Sequence, residues 1–286
     1  MKKVRAGWSL VVGLVLFVAG CGSGSETSIA SKSITIKGSN TMVVLAQPWA
    51  ETYMKENPAI TIQVSGEGTG TGIAALINGG TNICEASRPM KDVEKQQVLA
   101  RHGKDAKEIA VAMDGIAICV HESNPVKSLS EPQLKGIYTG RITNWRDVGG
   151  KDQKIVAYSR DNSSGTYQFF KEHVLGSEDF ARDVQTLTGT GAIISAVSKD
   201  PASIGYSGIG YASGIRVIPI SRDDKSPAVA PSLETVKSSQ YPLSRNLLFY
   251  TIGEPEGEVK TFIDWVLGPE GQKICATVGY YPIAKQ

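Results

Sequence analysis

From residue 33 onward, short apolar runs alternate with longer segments whose apolar positions recur at helical spacing. "SITIKG" (33–38) has the alternation of a half-buried strand. Over 41–57, Val44, Leu45, Trp49, Tyr53 and Met54 gather on or near one helical face. Pro48 sits inside that helix, lacks an N–H, and predicts a kink. The alternation continues with strand 59–66, helix 71–77, strand 82–87, helix 92–100, and strands at 108–112 and 115–121. A second block has helices at 131–140, 165–174 and 191–201, with strand-like runs at 154–160, 203–211 and 215–220. "NLLFYTIG" (246–253) predicts a further strand, followed by helices near 256–267 and 269–278.

Strands alternating with helices in this way argue for a doubly wound α/β sheet covered on both faces. The pattern suits two lobes, one built from 34–120 plus 246–286 and the other from 121–245. The chain would then cross between them near 120–124 and 245–250, the layout of a hinged binding protein with its ligand in the cleft. Periodicity alone would equally permit two serial domains.

The first 21 residues break this pattern. Lys2, Lys3 and Arg5 precede an apolar stretch from about Leu10 to Ala19, too short to span a bilayer comfortably and typical of a secretory leader. It ends in Val18-Ala19-Gly20-Cys21, which resembles the bacterial lipoprotein lipobox. That resemblance implies a signal peptide over 1–20, diacylation of Cys21, and a membrane-anchored extracytoplasmic protein; an ordinary signal followed by a chance cysteine is the alternative. Residues 21–33 then read as a lipidated, flexible Gly/Ser tether. Removing the leader's three cations from a formal charge of +2 leaves −1, so an anion would have to be attracted locally. Such a balance also gives no nucleic-acid footprint. Three widely spaced histidines and no Cys/His cluster offer no metal-ligand spacing, and no cofactor is expected. Cys84, Cys119 and Cys275 read as buried thiols or as one Cys84–Cys119 bridge with a thiol left over.

Three places share a chemistry. "KGSNTMVVL" (37–45), "GEGTGTGIAAL" (66–76) and "SRDNSSGTYQFF" (159–170) each run from a strand through Gly, Ser and Thr into a helix. The first N–H groups of a helix lack internal partners and carry the positive end of its dipole. With hydroxyls added, they form an anion site at the carboxyl ends of the strands. Arg160 adds a rigid fork of donors suited to a phosphate-like group. Taken singly, these segments also read as an N-cap, a flexible turn, and a surface arginine paired with Asp161.

With "ASRP" (86–89), these segments resemble the anion-binding segments of the PstS family, the phosphate-binding proteins of bacterial ABC transporters. "DGIAICVHESNPV", "LKGIYTGRITNWRDVGG", "ASIGYSGIGY" and "YPLSRNLLFYT" extend the likeness over nearly all of 34–286. It implies a two-lobed periplasmic-binding-protein fold of type II. Such a protein closes on inorganic phosphate and delivers it to a membrane permease. Matched by motif, it suggests Ser39, Asn40 and Thr41 with the Met42 backbone, Thr69 and Gly70 beside Thr71, Ser87 and Arg88, and Arg160, Ser164, Gly165 and Thr166. The best-known version has an aspartate where Arg88 falls. A carboxylate there accepts the proton of phosphate and repels sulfate, so the acceptor must come from elsewhere. Asp114 and Asp161 are the candidates, ahead of Glu67 and Glu85.

Alternative functions are a receptor for sulfate, molybdate or tungstate on the same fold, a phosphate-sensing or scaffold protein, and a secreted phosphatase with Ser164 as nucleophile. The last would need a base beside Ser164. No G-x-S-x-G elbow is present, and His173 lies about two turns beyond.

Overall fold

A computed structural model describes residues 32–283. The predicted signal peptide, Cys21 and nearly all of the tether lie outside the described residues.

The first half is built from β1 (Lys32–Gly38), α1 (Val43–Glu56), β2 (Ile60–Gly66), α2 (Thr69–Ile77), β3 (Ile83–Ala86), α3 (Asp92–His102) and β4 (Ala106–Val120). It continues into β5 (Leu129–Ser130), α4 (Glu131–Tyr138), a short 3-10 turn at Trp145–Val148, β6 (Val156–Arg160), α5 (Gly165–His173), β7 (Gln185–Leu187) and α6 (Thr190–Val197). Then come β8 (Ser203–Gly208), a 3-10 turn at Ile209–Tyr211, β9 (Arg216–Ile218), β10 (Ile220–Ser221), α7 (Leu233–Lys237), β11 (Ser244–Ile252), α8 (Gly257–Val266) and α9 (Pro269–Val278).

A single mixed sheet runs β2-β1-β3-β11-β4-β8-β6-β7, with β9 also paired to β4, and β5 and β10 form a separate pair. β1 is parallel to β2 and β3, while β11 is antiparallel to β3 and β4. The expected helices cover both faces. On one side α1, α8 and α9 pack Leu45, Trp49, Phe262 and Cys275 against Ile34, Ile36, Val111 and Phe249; on the other, α2 and α3 pack Ile73, Leu76 and Val98 against Cys84 and Tyr250. A further core joins Ile116, Ile118 and Val120 to Leu134, Trp145, Phe170 and Leu243. β4 feeds both, since Val111 lies in one core and Ile116 in the other.

Two expectations change. The strands predicted at 108–112 and 115–121 are one strand, β4, which runs unbroken through Asp114. Its carboxylate accepts from Arg245 on the neighbouring strand and from the Ile209 N–H. No Cys84–Cys119 bridge exists; these thiols and Cys275 are free and buried. Burial pushes the Cys119 thiol up to about 12, so it stays protonated and inert. α1 continues through Pro48 as one helix. "ITNWRDVGG" serves packing: Trp145 is buried and its indole donates to the Ala202 carbonyl at 2.7 Å.

Candidate functional site

The three predicted helix starts converge. β1 ends at Gly38, and the next N–H, that of Ser39, donates to the Glu85 carbonyl at 2.9 Å, placing the entrance to α1 beside β3. Ser39 Oγ lies 2.8 Å from Ser87 Oγ, which lies 3.4 Å from Thr69 Oγ1 at the start of α2. Thr41 Oγ1 lies 2.7 Å from Thr166 Oγ1 in the first turn of α5. All five hydroxyls are buried, although serine and threonine are mostly exposed in folded proteins. Gly165 lets these segments meet, because a Cβ there would stand 2.4 Å from Thr69 Oγ1 and 2.6 Å from Ser87 Oγ.

Arg160 is 1 % exposed, not the surface arginine paired with Asp161 that its sequence allows. Its Nη1 donates to Thr190 Oγ1 at 2.7 Å, while Nε and Nη2 have no partner among the described residues. Burial pulls its guanidinium below the usual arginine range. A buried cation with free donors and no carboxylate bonded to it is costly unless an anion completes it. Ser164 caps α5, accepting from the Tyr167 N–H at 3.3 Å. His173 does not serve Ser164: its Nδ1 meets the Phe169 carbonyl and its ring stacks on Phe169.

Other expected site residues stand differently. Arg88 turns away from the hydroxyls and grips Glu94 at the start of α3, with Nη1 and Nη2 at 2.8 and 2.7 Å from the two carboxylate oxygens. Burial opposes the Glu94 charge, but the bonds from Arg88 and the Lys91 N–H hold its carboxyl below the usual range. Gly70 spends its N–H on the Ser163 carbonyl at 2.9 Å, so that donor closes α2 against the turn before α5. Asn40 offers its carbonyl to the Tyr211 hydroxyl at 2.9 Å. Asp161 holds the N–H and Oγ of Ser163 rather than Arg160. Asp114 has both oxygens committed: Oδ1 accepts from the Ile209 N–H and Oδ2 from Arg245.

Arg245 is the residue that sequence reasoning missed. It sits on β11 directly opposite Asp114 on β4. Its Nε donates to Asp114 Oδ2 at 2.9 Å, Nη1 to the Ser87 carbonyl at 2.8 Å, and Nη2 to Thr166 Oγ1 at 2.9 Å. One guanidinium therefore ties β3, β4 and α5 together at the hydroxyl cluster. Thr190 was also missed, although a signal was present. α6 begins Gly189-Thr190-Gly191 as α2 begins Gly68-Thr69-Gly70, and both leading glycines have positive φ, +82° and +107°.

The arrangement is a buried set of neutral donors and two guanidiniums against the one paired carboxylate of Asp114, a surplus of positive charge suited to a small anion. A family model described as a PBP superfamily domain matches residues 23–270. The phosphate-binding protein PstS of Bacillus subtilis is 32% identical over 289 residues, covering 96% of this chain and 92% of its own. That of Pseudomonas aeruginosa is 30% identical over 275 residues, covering 90% of this chain and 85% of its own. Among solved structures, a putative phosphate ABC transporter substrate-binding protein from Clostridium perfringens with bound phosphate is 34% identical, with a TM-score of 0.80 over 88% of this chain and all of its own. An ABC-type phosphate transport receptor from Vibrio cholerae has a TM-score of 0.71 at 30% identity, over 87% of this chain. Built on the two-lobed fold of these relatives, the chain belongs to the PstS family of phosphate-binding proteins within the PBP superfamily.

Proposed function

We propose that this protein captures inorganic phosphate outside the cytoplasm and delivers it to an ABC-type import permease. The observation that carries the reading is Arg160: a buried guanidinium whose Nε and Nη2 have no partner among the described residues, within electrostatic reach of the Arg245 that holds the hydroxyl cluster. In this reading Ser39, Thr41, Thr69, Ser87, Ser164 and Thr166 line the anion, Arg160 meets it directly, and Arg245 holds the cage in shape. Residues 34–120 with 246–286, and residues 121–245, act as the two lobes. The ligand enters between them, and the Ser163 turn closes on α2 behind it. Diacylated Cys21 anchors the chain to the membrane, and 22–33 serve as the tether. The protein binds and releases its ligand without turning it over.

Calorimetric titration of residues 22–286, stripped of bound anion, with phosphate and then sulfate tests this. Tight one-to-one phosphate binding is expected. Arg160→Ala should weaken it by more than about 1.5–3 kcal/mol, the worth of a charge-assisted bond. Equal sulfate binding would replace phosphate by tetrahedral oxyanions in general, and no binding to either would overturn the receptor reading.

A further inference from the structure

Glu85 has no role in the site so far, yet it is a fully buried carboxyl group with neither oxygen bonded to anything among the described residues. It stands on β3 two residues before Ser87, level with Gly38 on β1 and Phe249 on β11. Its carbonyl takes the Ser39 N–H, and its Cγ is so close to Gly38 that a Cβ there would come within 3.2 Å. The phenol of Tyr211, which donates to the Asn40 carbonyl, is pushed up by burial and by Glu85 and pulled down by Arg160. Glu85 therefore lies under the entrance to α1, within electrostatic reach of the group that also senses the candidate anion-binding arginine.

We propose that Glu85 is a specificity-determining residue of this anion site, a neutral carboxyl group that offers a bound oxyanion one donor and one acceptor. The inference rests on the phosphate-receptor reading. Hydrogen phosphate carries both a proton and bare oxygens, so it can satisfy the O–H and the C=O of Glu85 together. Sulfate has no proton and would leave that buried C=O unpaired, the kind of loss by which a polar site rejects an analogue. Every other group assigned to line the anion is a hydroxyl, an N–H or a guanidinium, so Glu85 alone adds a carboxyl C=O.

The neutrality follows from the surroundings. Burial holds the Glu85 carboxyl well above the usual carboxylate range. β1 presents Gly38 to it and β11 presents Phe249. The titratable groups within its electrostatic reach are the Tyr211 phenol and the Cys84 thiol, and burial pushes each of them up, so both stay uncharged at neutral pH. Arg88 and Glu94, which also act on Cys84, are paired with one another. No lysine or arginine forms an ion pair with Glu85 among the described residues. A folded-state pKa raised in this way keeps the proton through neutral pH, and ionisation at higher pH would set a negative charge against the anion.

The test compares wild type, Glu85→Gln and Glu85→Met by calorimetry with phosphate and sulfate at pH 7. Glutamine keeps one C=O and an N–H donor; methionine keeps the shape and neither. Glu85→Gln should bind phosphate within about threefold of wild type and keep its preference over sulfate. Glu85→Met should lose at least about tenfold in the phosphate-to-sulfate ratio, a typical consequence of one lost buried hydrogen bond. An unchanged ratio in Glu85→Met, or a loss in Glu85→Gln as large as in Glu85→Met, would overturn the proposal while wild-type phosphate binding left the receptor reading standing. Wild type failing to bind phosphate would sink the reading itself. Infrared difference spectra of the wild type need no variant to fold. A protonated-carboxyl C=O band that shifts on adding phosphate is expected, and a band that ignores phosphate would overturn the proposal.

Discussion

Two arginines separated by about half the chain do opposite kinds of work, and their partners explain which does what. Arg88 is locked in a fork-to-fork pair with Glu94, whose side chain is 17% exposed, so it fastens β3 to the start of α3. Arg245 pairs with Asp114, whose side chain is fully buried, and spends its remaining donors on Ser87 and Thr166. Arg88→Ala should lower the unfolding free energy while leaving phosphate affinity unchanged. Arg245→Ala should cost about 3–5 kcal/mol of stability, because it strands a buried charge, and should weaken phosphate binding as well. Denaturant unfolding beside calorimetry separates the two. The sequence could not reveal this contrast, since Arg245 falls just before the strand predicted over 246–253. Its meaning depends on Asp114, 131 residues away in sequence, arriving opposite it. Arg88 resembles a ligand by motif, and its pairing with Glu94 is hidden for a related reason. Its partner lies only six residues on, but across a strand-to-helix turn whose geometry a motif does not display.

At the scale of elements, helix starts were the legible part of the chain. Their chemistry is local: a strand, a glycine, hydroxyls and then an amphipathic run. The start of α6 carries the same Gly-Thr-Gly as α2, but the strand before it, β7, is only three residues long. The continuity of β4 through Asp114-Gly115 was illegible for the opposite reason. Asp-Gly favours turns locally, and the cross-strand bonds of Asp114 overrule that preference. Elements also approach closely at Gly68, the N-cap of α2. Its φ of +107° suits only glycine, and a Cβ there would stand 2.3 Å from Ser163 Oγ and 2.9 Å from the Ser163 carbonyl. Gly68→Ala should therefore hold α2 away from the turn before α5 and speed phosphate release at least about tenfold, since such backbone strain alone is worth ~1–3 kcal/mol. Stopped-flow dissociation would measure it. Adding Ser163→Gly should restore part of the loss by removing the nearer obstacle.

For the whole molecule, the sheet matters more than either half. β11 enters between β3 and β4, so β1, β2 and β3 are linked to β4 in the sheet through a strand that comes late in the chain. The residues after it add closure: the Tyr280 hydroxyl donates to the Thr41 carbonyl at 2.6 Å, and Met113 and Tyr281 exchange backbone hydrogen bonds at 2.8 and 3.0 Å. α9 accepts the Trp49 indole of α1 at the Gly271 carbonyl. A chain of residues 32–243 should accordingly show no cooperative thermal transition for its first core, whereas residues 32–283 should unfold in one step. Differential scanning calorimetry would register the difference.

That ordering of strands also sets a timetable. A chain leaving the ribosome exposes β1, β2 and β3 long before β11 exists, and contacts of such long separation form slowly. The nascent polypeptide therefore stays without its central strand until synthesis is nearly complete. If the leader directs export, as proposed, this delay keeps the chain threadable through a translocation channel. The same interval leaves the edges of β3 and β4 unpaired and open to strand-to-strand association, so escort by a chaperone matters most in that window.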